Sequence, residues 1–132
     1  MKKASLPEFI GSLSSVAPPA GEGAYAFMDA EIGCRGWVQL IIRSDRRVEV
    51  HRLWTLKPGQ NNGSMMLQTI CDLADRHGIE IILKPLPFGR KPYPRTREQL
   101  MAWYERYGFA GNRRKMLRQP KALAPSFADR PA

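Results

Sequence analysis

Val48 to Leu56 reads Val-Glu-Val-His-Arg-Leu-Trp-Thr-Leu, a run that favours extended chain. Lys57-Pro-Gly-Gln-Asn-Asn-Gly-Ser64 follows as a polar loop, and then Met66, Leu67, Ile70, Leu73 and Ala74 recur at spacings of three and four. The change of period predicts a strand, a loop and an amphipathic helix in succession. Asn61 and Asn62 are candidate N-caps, and Gly78 suits the residue just past a helix end. The first turn of such a helix has N–H groups without intrahelical partners, which together with the helix dipole attract anions.

Upstream, Ser5-Leu-Pro-Glu8 has the form of a capping box, and Leu6, Phe9, Ile10 and Leu13 make one apolar stripe, predicting a helix over about residues 6–14. Residues 14–23 are rich in Ser, Pro, Ala and Gly and read as a linker. A strand is expected over 24–32, a turn from Gly33 to Gly36, a strong strand from Trp37 to Arg43, and a hairpin connection over Ser44–Arg47. Three strands joined this way form an antiparallel meander. Ile79-Glu-Ile-Ile-Leu83 is the next strand, and its helical crossover makes it parallel to the strand before the loop, so the sheet is mixed. Four prolines make residues 84–95 a basic, aromatic loop. Thr96-Arg-Glu-Gln99 is a second capping box, opening a helix with Leu100, Trp103, Tyr104 and Tyr107 on one face and Gly108 at its end. A turn and a final strand follow Phe109, and the Pro/Ala-rich residues 120–132 read as a disordered tail.

At 132 residues the chain fits one domain. No apolar run approaches the ~20 residues of a membrane span, and Pro7 and Glu8 interrupt what would be a signal peptide's apolar region after Met1-Lys-Lys. The expected location is cytoplasmic. Cys34 and Cys71 form no CxxC pair, and Cys71 falls within the amphipathic helix, where a buried free thiol is expected. With His51 and His77 as the only histidines, no metal site is expected. The formal net charge of +9 points to an anionic partner. Its clusters are Arg43 to Arg47, Arg90-Lys91 with Arg95 and Arg97, and Arg113 to Lys115 with Arg118 and Lys121. They suit a phosphate-rich cofactor, a nucleic acid or a solvated surface alike.

Gly59-Gln-Asn-Asn-Gly-Ser-Met-Met-Leu67 resembles the acyl-coenzyme A pyrophosphate loop of the GNAT N-acetyltransferase superfamily, Arg/Gln-x-x-Gly-x-Gly/Ala with a following Ser-x-Leu-Leu. Gly63 takes the second glycine, Ser64 follows it, and Met66-Leu67 take the aliphatic places; Asn61 stands for the first glycine and Pro58 for the basic residue. Trp103-Tyr-Glu-Arg-Tyr-Gly-Phe109 resembles the second GNAT signature, at the end of the helix after the fifth strand. The resemblance runs from about Tyr25 to Arg118 and is similar to the short members encoded by bacteria and phages.

That resemblance implies an α/β fold: a six- or seven-stranded, mostly antiparallel sheet with one parallel splayed pair and helices on both faces. It divides the chain into an N-terminal helix and linker (1–23), a GNAT-like domain (24–118) and a tail (119–132). It implies acetyl-CoA, or another acyl-CoA, bound along Leu53, Trp54 and Thr55 and at Gly59, Gln60, Asn61, Asn62, Gly63 and Ser64. Tyr104 is then the expected general acid, and Glu49 or His51, two apart on one strand, the expected base. The amine acceptor is a small molecule, a protein or a nucleobase, and Arg90, Lys91, Tyr93 and Arg95 are its candidate loop. A different reading takes the charge and this loop as marks of a nucleic-acid-directed protein.

Overall fold

The computed structural model describes residues 5–29, 31, 33–55, 62–85 and 96–121. In chain order these form α1 (Leu6–Val16), β1 (Ala24–Asp29), β2 (Gly33–Ser44), β3 (Arg47–Thr55), α2 (Asn62–His77), β4 (Glu80–Leu83), α3 (Arg97–Glu105), β5 (Ala110–Gly111) and β6 (Met116–Arg118). They make a six-stranded mixed sheet in the order β1-β2-β3-β4-β6-β5. The pairs are antiparallel except β3 with β4, which α2 joins as a parallel crossover.

Alternation sets the core. Val48 and Val50 on β3 and Ile81 and Leu83 on β4 are buried in one cluster with Met66, Leu67, Ile70 and Ala74 of α2. Helix α2 ends as expected: Gly78 has φ of +71° and the Ile79 N–H donates to the Ala74 carbonyl at 2.8 Å, a Schellman closure. Helix α1 docks on its own domain. Phe9 and Leu13 are fully buried, the Ser5 N–H donates to the His77 carbonyl at 2.9 Å, and Ser12 Oγ lies 3.0 Å from His77 Nε2.

Three local expectations change. Ser5 makes no side-chain cap bond, and Glu8 instead places a carboxylate oxygen 3.6 Å from His77 Nδ1; the second capping box, Thr96 with Gln99, is present with both bonds. Gly33 to Gly36 is strand, not turn, because the glycine serves a close approach of β2 to β3: a Cβ at Gly36 would lie 2.4 Å from the Trp54 carbonyl oxygen. The single final strand is a pair of short strands, β5 and β6. Residues 122–132 lie outside the described residues.

The buried Cys71 thiol is pushed up to about 12, first by burial, against which nearby Arg118 pulls it down. An unfolded thiol near 9 loses its proton before this one does, so the native state holds the extra proton between the two values. Cys71 therefore contributes stability that is complete below pH 9 and lost as pH rises toward 12. At neutral pH, half-buried Cys34 should react with a disulfide reagent while Cys71 reacts only after unfolding; one equivalent of fast release followed by a second in denaturant checks this.

Candidate functional site

The chain builds a slot beside β3. Pairing of β3 with β4 is confined to residues 47–50 against 80–83, whereas β3 continues to Thr55, paired only with β2 among the described strands. Arg47 donates to Glu80 Oε2 from Nε at 2.8 Å and from Nη2 at 2.6 Å, clasping the paired end. Beyond Val50 no described strand pairs with residues 51–55 on the β4 side. Five residues of strand span roughly 16 Å.

At the closed end of this slot β3 carries a bulge. Leu40 pairs with Val50 and Gln39 with Arg52, so His51 is the extra residue. Glu49, opposite Ile41, turns away from the core face of Val48 and Val50 yet is only 7% exposed. Arg43 explains this: its Nε donates to Glu49 Oε1 at 2.9 Å, and its Nη2 donates to the same oxygen. The other oxygen, Oε2, lies 3.9 Å from His51 Nδ1, and the His51 side chain is 44% exposed. Further along, Trp54 packs against Trp37 of β2 with ring centroids 5.5 Å apart.

The open end meets the start of α2. Asn62 is buried; its Oδ1 accepts from Arg35 Nη1 at 2.9 Å, and its Nδ2 has no hydrogen-bond partner among the described residues. Gly63 sits between the end of β3 and α3: a Cβ there would lie 3.6 Å from Thr55 Cγ2 and 3.7 Å from the Trp103 ring. Trp103 Nε1 donates to Ser64 Oγ at 3.1 Å, fixing α3 to this helix end. Tyr104 is 2% exposed, its ring against Trp103 and Phe109 with centroids 5.0 Å and 5.6 Å away.

Of the residues expected to act, Leu53, Trp54 and Thr55 lie on the open segment, and Asn62, Gly63 and Ser64 form the first turn of α2. Glu49 and His51 come together, while Tyr104 belongs to a separate aromatic group. Gly59, Gln60, Asn61, Arg90, Lys91, Tyr93 and Arg95 lie outside the described residues. Sequence reading missed Arg43, which was absorbed into a basic cluster. Its signal was available only through pairing: Ile41 faces Glu49 across the hairpin, which brings the residue two positions on within reach of that carboxylate.

Among the described residues no cluster of metal-binding side chains occurs, and no helix is long and apolar enough to cross a membrane. No family model and no curated protein matches the chain. Several solved structures share its fold. The anti-CRISPR protein AcrVA5 superposes with a TM-score of 0.53 at 19% identity, over 72% of this chain and 97% of its own. An acyl-CoA N-acyltransferase from Pseudomonas aeruginosa gives 0.50 at 16% identity, over 72% and 68%. The KacTA–DNA complex gives 0.52 at 17% identity, over 86% and 80%. The fold of this chain is the GNAT fold.

Proposed function

We propose that this protein is an acyl-coenzyme A dependent N-acyltransferase that transfers an acetyl group directly to an amine. The observation that carries the reading is the open segment 51–55, which leads from the β3 bulge to the first turn of α2. Unpaired strand groups suit the amides of a pantetheine arm, and a helix start suits a pyrophosphate. Asn62 Nδ2, without a partner among the described residues, adds a buried donor where phosphates would lie. The bound acyl-CoA supplies the activated thioester. Backbone N–H groups at Leu53 to Thr55 are the candidates to stabilise oxyanion charge on its carbonyl, Glu49 or His51 to take the amine's proton, and Tyr104 to protonate the departing sulfur. Holding the two reactants in line supplies a large share of the acceleration.

Isothermal titration with acetyl-CoA should give saturable one-to-one binding. Absence of heat at millimolar ligand would leave only a scaffold of this fold.

A second reading makes the acceptor a nucleic acid, favoured by the net charge of +9 and by the likeness to the KacTA–DNA complex. It expects log affinity for DNA to fall steeply with log salt, by roughly 0.9 per phosphate contacted on duplex DNA. Arg90→Ala with Lys91→Ala should weaken that binding. Affinity absent at low salt removes this reading and leaves the first intact.

A further inference from the structure

Three features meet at the bulge. Pairing with β4 ends at Val50 and Leu83, so an acyl group on a cofactor lying along residues 51–55 would come to rest near His51. Bulges re-aim side chains, and here the extra residue is an imidazole with nearly half its surface in water. Beneath it Glu49 is almost wholly enclosed, with Oε1 taken by two donors from Arg43 and Oε2 left facing His51 Nδ1. Arg43 from β2 and Arg52 beside it on β3 are the other charges near this pair, while Glu80 of β4 is held by Arg47.

We propose that His51 is the catalytic base of the acyl transfer and Glu49 its positioning residue, with Arg43 locking the carboxylate. The assignment rests on the acyltransferase reading above. Glu49 holds the proton on Nδ1, which leaves the Nε2 lone pair free for the incoming ammonium. The present 3.9 Å separation shortens to a hydrogen bond when substrate packs over the ring, as catalytic contacts commonly do. Of the two protons the nitrogen sheds, the first goes to His51 Nε2 and from its exposed edge to solvent. The freed nitrogen pair forms the N–C bond, and the C–S bond breaks with its pair on sulfur. Sulfur takes the Tyr104 proton, and the second proton from nitrogen replaces it. Glu49 is ill placed to do this alone, because one oxygen is spent on Arg43 and His51 stands over the other.

The test needs no acceptor. Bromoacetyl-CoA presents an alkylating carbon where the acetyl group would lie, and an imidazole nitrogen there displaces bromide. The expected result is one adduct, mapped by mass spectrometry to His51 and lost in His51→Gln. An isotope-labelled reagent should place it on Nε2 by NMR. In Glu49→Gln labelling should slow by about tenfold or more, the worth of a hydrogen bond to a charged group, and should spread to Nδ1. A change of nitrogen is a signature that mere loss of packing does not produce. Titration of each variant with acetyl-CoA separates the two claims. No acetyl-CoA binding by the wild-type protein overturns both. Binding without a His51 adduct, or unchanged labelling in Glu49→Gln, overturns the assignment and leaves the acyltransferase reading standing.

Discussion

Tyr104→Phe is expected to lower turnover by about a hundred- to ten-thousand-fold, the share of a positioned general acid, while acetyl-CoA affinity stays unchanged. A phenol near ~10 and a thiol near ~8.5 are close enough to pass a proton to a leaving thiolate. The substitution is a clean one, because Tyr104 is enclosed by Trp103 and Phe109 and phenylalanine keeps the ring that makes those contacts. Turnover with an identified acceptor, titration with acetyl-CoA and a thermal melt should be measured together. A lowered rate with intact binding and melting temperature assigns the hydroxyl to the chemical step. An unchanged rate would reduce Tyr104 to packing and leave water to protonate the sulfur.

Asp75→Ala should be strongly destabilising. Arg118 side-chain exposure is 3% and that of Asp75 is 10%, and the two meet as a fork: Nη1 to Oδ1 and Nη2 to Oδ2, both 2.8 Å. Arg118 Nε also donates to the Tyr107 carbonyl at 2.6 Å, and Asp75 Oδ1 accepts from the Lys121 N–H at 2.7 Å. The pair thus ties α2 to β6 and to the end of α3. Burial is the largest influence and pushes the Arg118 guanidinium down, but the hydrogen bond to Asp75 and the nearby charges of Cys71, Asp75 and Asp72 together hold it above the ordinary arginine value. Removing the carboxylate strands a buried cation, which costs about 3–5 kcal/mol. Against a whole-domain stability of roughly 5–15 kcal/mol, the melting temperature should drop on the order of 10 °C or more. Replacing both partners, Asp75→Leu with Arg118→Met, should recover most of that loss, since an apolar pair leaves no charge to solvate. A double variant as unstable as the single one would show that the Tyr107 and Lys121 contacts, not the ion pair, hold this corner.

Periodicity and punctuation made most of the fold legible. The shift from extended run to helical spacing across residues 48–74, Gly78 at a helix end and the Thr96–Gln99 capping box are local effects, set by backbone sterics and by neighbours within four residues. The paired motifs around Gly63 and Tyr104 likewise pointed to the fold, because the elements between them stand in the order that the resemblance required. Ser5 shows the limit of such signals: its sequence has the capping pattern, but the Glu8 carboxylate finds the His77 ring of another helix instead.

What the chain alone could not determine depends on register. A bulge costs one residue and leaves no mark in composition, yet it decides that His51 stands over Glu49. Arg43 looked like one member of a basic cluster until hairpin pairing laid it against Glu49, and Arg118 looked like another until β6 carried it to Asp75. Charge is countable in a sequence, but whether a charge is spent inside the molecule or left for a partner depends on which strands lie side by side, and only tertiary structure settles that.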